Sequence, residues 1–122
     1  MQGLRTTIYQ VPDLAAAKAW YTQAFGKEPY FDEPFYVGFN IGGFELGLHP
    51  EGDTPLVKST NVVSYWGVGE DVQVVFDQLL ELGGTAHEAP ANVGGPLVVA
   101  TILDPWGNPI GLIYNPTFPN TL

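Results

Sequence analysis

One order of structural signals occurs twice in this 122-residue chain, and this repetition constrains the fold more than any other feature. The stretch VPDLAAAKAWYTQAFGKEP corresponds to VGEDVQVVFDQLLELGGTA, and FNIGGFELGLHP corresponds to ILDPWGNPIGLIYNP. Each half ends with a residue followed by proline, at His49-Pro50 and at Asn115-Pro116. We therefore predict a single domain, residues 1–122, made of a module 1–53 and a module 61–116 joined by a linker 54–60.

Each half predicts a strand, a helix and three further strands. In the first half, Asp13 is a suitable N-cap and Gly26 a suitable C-terminal stop for a helix with apolar residues at helical spacing. Its strands are predicted at 4–11, 28–31, 35–41 and 44–49. The second half predicts strands at 62–68, 85–88, 97–103 and 110–114, a helix at 70–82, and a Gly/Pro-rich loop at 90–96.

The charge of the chain argues against several classes of partner. Thirteen acidic residues face four basic ones, for a formal net charge of -9, which disfavours nucleic acid as a partner. No apolar run is long enough to span a membrane, and the first dozen residues lack the apolar stretch of a secretory signal, so we expect a cytoplasmic protein. The acidity favours solubility or, more specifically, a groove for a cationic ligand.

Two motifs carry a resemblance to a known family. The pattern V-x-D-L-x-x-A-x-x-W/F-Y-x-x-x-F-G appears as VPDLAAAKAWYTQAFG, and D-P-x-G-N-x-I appears late in the second half as DPWGNPI. The sequence thereby resembles the vicinal oxygen chelate superfamily of glyoxalases, bleomycin resistance proteins and extradiol dioxygenases. The resemblance implies an α+β fold of two βαβββ modules with sheets curled around a cup, binding sites in that cup, and pairing as homodimers.

Metalloenzymes of this superfamily hold a divalent metal through side chains from the first and last strands of each module. The resemblance puts those positions at Thr6, Glu45, Val63 and Gly111, and of these only Glu45 matches. One carboxylate competes badly with water for a divalent ion, so we expect no metal and no other cofactor. The sequence is then closest in character to the metal-free bleomycin resistance-like branch.

Other residues are candidates for a ligand site. Glu45 and His49 are four apart in one strand and so share a face, which makes them weak candidates for acid-base catalysis or for orienting a ligand. Gly111 leaves space beside Trp106 for an organic ligand. The aromatic residues that best combine an apolar body with a polar tip are Tyr36, Tyr65, Trp66, Trp106 and Tyr114.

The leading hypothesis is metal-independent binding of a small aromatic or cationic organic molecule, as in antibiotic resistance by sequestration. The alternative is a lyase or oxidoreductase of the glyoxalase or dioxygenase type. It would have either a displaced metal site that uses Glu45 and His49, or a metal-free acid-base site with Glu45 as the base. A third possibility is a structural or partner-binding domain whose cup is filled with side chains. The balance favours a binding protein over an enzyme.

Overall fold

The computed structural model describes residues 1–54 and 56–118, so Pro55 of the predicted linker and the last four residues of the predicted domain lie outside it. The chain forms two compact units, Met1–Val57 and Lys58–Leu122, which divide inside the predicted linker. Within the described residues, each unit has one helix and four strands in the order βαβββ. This confirms the predicted α+β class and the duplication.

The first unit contains β1 (Thr6–Val11), α1 (Leu14–Phe25), β2 (Phe31–Glu33), β3 (Tyr36–Ile41) and β4 (Phe44–Pro50). Its sheet has the order β1-β4-β3-β2, with β1 parallel to β4 and the other pairs antiparallel. The predicted helix ends are confirmed. The Asp13 side chain accepts a hydrogen bond from the Ala16 N–H, and Gly26 adopts the left-handed conformation that glycine favours.

The core of the first unit lies between α1 and one face of this sheet. Alternation along β1, β3 and β4 sends apolar side chains to that face, and Tyr21 of α1 stacks on Tyr9 of β1 at 5.6 Å between ring centroids. Most of these side chains are fully buried: Val11, Tyr21, Val37, Phe39, Leu46 and Leu48. The opposite, open face carries the other half of each strand.

The second unit contains β5 (Tyr65–Gly67), α2 (Val72–Glu81), β6 (Thr85–Gly94), β7 (Leu97–Leu103) and β8 (Pro109–Tyr114). Its sheet order, β5-β8-β7-β6, repeats that of the first unit, again with the first and last strands parallel. The buried face packs on α2 and includes Ala100, Ile102, Ile110 and Leu112. Neither helix of the described residues is long and apolar enough to cross a membrane.

Three predicted strands differ from the observed ones. The strand predicted at 28–31 is β2, Phe31–Glu33, because Pro29 lacks an N–H and pairing with β3 begins after it. The strand predicted at 62–68 shortens to Tyr65–Gly67. The strand predicted at 85–88 extends to Gly94 and takes in most of the predicted loop 90–96.

The long β6 is possible because it pairs on one side only. It lies at the edge of its sheet and shifts register against β7 at three places, which accommodates Pro90. His87 lies exposed on this edge strand, with its Nε2 4.0 Å from Glu88 Oε1. The Gly and Pro residues that predicted a loop here therefore accompany local irregularities in the pairing and do not end the strand.

The turn in DPWGNPI is organised by one buried carboxylate. Asp104 is 2% exposed, and its Oδ1 accepts hydrogen bonds from the backbone N–H groups of Trp106 and Asn108, both at 2.8 Å. Its Oδ2 accepts a further bond, at 2.9 Å, from the Asn108 side chain. The motif therefore builds the β7–β8 connection.

We expect Asp104→Ala to lower the free energy of unfolding by about 2–4 kcal/mol, because it leaves buried donors without their acceptor. Urea unfolding followed by circular dichroism measures this. Asp53→Ala, which removes the same charge from an exposed bend, is the control and should change stability by less than about 0.5 kcal/mol. Equal losses in both variants would contradict this role for Asp104.

Candidate functional site

The open face of the first sheet holds a carboxylate surrounded by hydroxyl groups. Glu45 lies on β4, and its neighbour in the parallel β1 is Thr6, whose hydroxyl donates to Glu45 Oε1 at 2.9 Å. The hydroxyls of Tyr30 and Tyr36 donate to Oε2 at 2.8 and 3.2 Å. No lysine, arginine or histidine of the described residues forms an ion pair with this carboxylate.

The hydroxyl groups favour the ionised form of Glu45. Burial raises the pKa of Glu45, but the hydrogen bonds from Tyr30, Thr6 and Tyr36 together outweigh burial, so its pKa lies below the ordinary value. Burial and then the negative charge of Glu45 raise the pKa of Tyr36 to about 12. The hydrogen bond to Glu45 raises the pKa of Tyr30. At neutral pH the cluster is one anion held by neutral donors.

Two glycines form the floor under this cluster. Gly38 of β3 and Gly47 of β4 are direct cross-strand neighbours on the open face. A Cβ at Gly47 would lie 2.6 Å from Tyr36 Cζ, and a Cβ at Gly38 would lie 2.6 Å from Glu45 Oε2 and 3.1 Å from Tyr30 Cε1. The absence of side chains at these positions lets the tyrosine rings lie against the sheet and reach the carboxylate.

A small hollow adjoins the cluster. Its volume is about 180 Å³, and it is lined by Tyr30, Asn40, Gly43, Phe44 and Glu45. The Asn40 side-chain oxygen accepts the Gly43 N–H at 2.8 Å and so shapes the β3–β4 turn at its edge. Phe44 is 40% exposed and offers an apolar surface. The hollow thus combines a negative charge with aromatic contact area.

A larger hollow of about 410 Å³ lies elsewhere in the first unit, beside α1 and β2. It includes Lys18 and Asp32, which form an ion pair at 2.8 Å and so neutralise each other. Its size exceeds that of the Glu45 hollow, but it lacks an organised charge with several hydrogen-bond donors. We therefore regard the Glu45 cluster as the better candidate site.

The structure brings Tyr36 and Glu45 together but not Glu45 and His49. Both side chains belong to the open-face set of β4, yet four residues of strand separate them by roughly 13 Å. The exposed His49 ring has Nδ1 2.8 Å from the Pro50 carbonyl oxygen. The two side chains are therefore not in direct contact with each other.

In the second unit, the observed pairing of β5 with β8 changes which residue corresponds to Thr6 of the first unit. Thr6 pairs with Glu45 in β1 and β4, and the same pairing in β5 and β8 joins Tyr65 to Gly111. The counterpart of Thr6 is thus Tyr65 and not Val63, two residues away on the same alternation. A Cβ at Gly111 would lie 2.6 Å from Tyr65 Cδ1 and 2.9 Å from the Ser64 carbonyl oxygen. The space predicted beside Trp106 is therefore occupied by the Tyr65 ring.

Two of the other predicted aromatic residues, Trp66 and Tyr114, lie on the face of the sheet opposite Tyr65. Trp66 follows it in β5 and so points to the opposite, helix-covered face, where it is 9% exposed beside Leu112. Tyr114 shares the alternation of Leu112 and belongs to that same face. Trp106 is half-buried in the Asp104 turn. Tyr65 therefore does not share a face of the sheet with Trp66 and Tyr114.

The positions used by metalloenzymes do not fit a divalent ion. Thr6 uses its hydroxyl to donate to Glu45, and Gly111 has neither a donor atom nor space for one. Throughout residues 1–54 and 56–118, no group of three or more His, Cys, Asp or Glu side chains could hold a metal. The donor set therefore does not match metal chemistry.

Sequence reasoning missed Tyr30, which donates to Glu45 from just before β2. It also treated Thr6 only as a poor metal ligand and did not identify it as a donor to the carboxylate. The sequence feature that could have indicated this cluster is the pair of glycines Gly38 and Gly47, which lie at alternating positions of two aromatic-rich strands. Glycines on one face of paired strands mark a place where other groups approach the sheet closely.

Comparison with known proteins identifies the family. A profile of the Glyoxalase/Bleomycin resistance protein/Dioxygenase superfamily matches residues 3–112, and the chain belongs to this superfamily. A glyoxalase-related enzyme from Fulvimarina pelagi has a similar fold, with a TM-score of 0.81 at 20% identity, covering 98% of this chain and 92% of that chain.

The fosfomycin resistance protein FosX from Listeria monocytogenes gives a TM-score of 0.77 at 19% identity, with 96% of each chain covered. A glyoxalase/bleomycin resistance protein/dioxygenase family enzyme from Burkholderia phytofirmans gives 0.75 at 20% identity, covering 89% of this chain and 95% of that chain. At these identities the likeness establishes the fold. Comparison with curated proteins found no significant match.

The glycine floor generates a first prediction for this site. Gly47→Ala should push the Tyr36 ring away from Glu45, lower the pKa of Tyr36 from about 12 toward the usual value of about 10, and destabilise the fold by about 1–3 kcal/mol. A pH titration by NMR of ring-labelled tyrosine, assigned with Tyr36→Phe, measures the pKa. Gly67→Ala, at a strand glycine with open space around it, is the matched control.

If Gly47→Ala left the Tyr36 pKa near 12, the ring would not depend on this glycine. If Gly67→Ala shifted that pKa equally, the effect would be a general one of alanine in the sheet. Only a shift specific to Gly47 supports the contact.

The lowered pKa of Glu45 generates a second prediction. A group whose pKa is lower in the folded state stabilises the fold above its unfolded pKa, and this contribution is lost as pH falls through the folded pKa. The destabilisation caused by Glu45→Gln should therefore be larger at about pH 7 than at about pH 3. Urea unfolding at both pH values, with the exposed Glu28→Gln as control, measures the difference. An equal effect at both pH values would contradict the assignment.

Proposed function

We propose that this protein binds a small organic cation carrying an aromatic group, without a metal, at the Glu45 cluster. The observation that carries the proposal is an ionised carboxylate with three neutral hydroxyl donors and no partner cation among the described residues. A ligand that brings its own positive charge completes such a site. The net charge of -9 further favours the approach of a cation.

The same observation disfavours an acid-base enzyme. A general base works best with a pKa near the operating pH, and the hydroxyl groups move the pKa of Glu45 in the opposite direction. A carboxylate stabilised as the anion attracts a cation but has little tendency to take a proton. Binding is therefore the better match to the electrostatics of this cluster than proton transfer.

Sequestration of a toxic compound, such as an antibiotic, is the biological role we attach to this binding. It requires affinity and no catalyst, and the similar fold of a fosfomycin resistance protein is consistent with a protective role. The expected homodimer and cytoplasmic location belong to the same proposal. Tyr65 and Trp106 stay candidates for ligand contact.

The proposal predicts binding of phenethylammonium to protein treated with EDTA. Isothermal titration calorimetry should give a measurable affinity that Glu45→Gln weakens by roughly tenfold or more, because the ion pair and its hydrogen bond are lost. Glu28→Gln, which removes the same charge from an exposed site, should change affinity less than about twofold. Binding that needs an added divalent metal, or that survives in Glu45→Gln, would overturn the proposal.

A further inference from the structure

The hydrogen bonds around Glu45 restrict which cations it can bind. Each carboxylate oxygen can accept about two hydrogen bonds. Oε2 accepts from both Tyr30 and Tyr36, while Oε1 accepts from Thr6 alone. Within the described residues, therefore, a single acceptor position is left on the carboxylate, and it belongs to Oε1.

We propose that the site selects a primary ammonium group attached to an aromatic ring, discriminates against quaternary ammonium, and gives guanidinium no advantage over ammonium. This inference rests on the proposed function and adds the chemical class of the ligand. An ammonium N–H reaches the remaining position on Oε1. A quaternary ammonium has no N–H and leaves that position empty, with its charge held farther away by methyl groups.

A guanidinium or amidinium binds a carboxylate most strongly through a bidentate contact, in which two N–H groups donate to the two carboxylate oxygens. Here the two tyrosine hydroxyls occupy Oε2, so a planar fork can use only one prong. The fork then has no advantage over an ammonium group at this carboxylate. Tyr36 and Tyr30 therefore act as specificity-determining residues through the acceptor positions that they fill.

The hollow beside Glu45 is large enough for the aromatic part of such a ligand. Its volume of about 180 Å³ is close to that of cavities of about 150 Å³ that accept benzene. Phe44 and Tyr30 provide the aromatic surface, with 40% and 64% of their areas exposed. One six-membered ring is therefore comparable in size with this hollow.

The experiment compares benzylammonium, benzyltrimethylammonium and benzylguanidinium by isothermal titration calorimetry. For the wild type we expect benzylammonium to bind roughly tenfold or more tightly than benzyltrimethylammonium, and no more weakly than benzylguanidinium. In Glu45→Gln the preference for benzylammonium over benzyltrimethylammonium should fall to about twofold or less. Circular dichroism and urea unfolding confirm that each variant is folded.

The Tyr36→Phe variant tests the role of Oε2 directly. It keeps the ring over Gly47 but removes one hydrogen bond, so that a fork can reach both oxygens. Affinity for benzylguanidinium should rise severalfold relative to benzylammonium. Thr6→Val is the matched control, because it removes a hydroxyl from Oε1 and leaves Oε2 filled, so the ratio should stay within about twofold.

The outcomes separate the two proposals. If none of the three probes binds, the proposed function itself fails. If all three bind equally and all depend on Glu45, cation binding stands and the selectivity inferred here is overturned. If Tyr36→Phe and Thr6→Val change the ratio equally, the acceptor positions do not determine specificity.

Discussion

The parallel pairing of the first and last strands of each unit determines which side chains are neighbours across these strands. Parallel neighbours in register point to the same face of a sheet, so the pairing of β1 with β4 sets Thr6 next to Glu45. The antiparallel pairing of β3 with β4 then places Gly38 beside Gly47 and leaves the floor on which Tyr36 lies. The candidate site is a consequence of these two registers.

The chemistry of Glu45 follows from the kind of donor that this register supplies. Hydroxyl groups stabilise an anion without neutralising it, whereas a lysine or arginine would stabilise it by cancelling its charge. Burial alone would favour the protonated acid, and the three hydrogen bonds reverse that preference. The result is a half-buried negative charge that a cationic ligand can still compensate.

Features that depend on neighbours in sequence could be predicted, and features that depend on pairing were less accessible. The caps of α1 at Asp13 and Gly26 depend on residues within one turn, and both are observed. The extent of β6 depends on β7, whose pairing overrides the local Gly/Pro signals. Tyr30 was missed because its contact with Glu45 requires the glycine at position 38 of another strand.

The two units place the larger residue of the corresponding cross-strand pair on opposite strands. In the first unit the small Thr6 stands beside the long Glu45, and in the second unit the large Tyr65 stands beside Gly111. In each pair the volume removed from one strand is available to the other, as close packing requires. A glutamate at position 111 would therefore meet the Tyr65 ring and the Ser64 carbonyl oxygen, and it would need a smaller residue at position 65 and a shift of the backbone. The identities of the residues at positions 65 and 111 are thus coupled by packing, and a longer side chain at position 111 is not compatible with the present Tyr65.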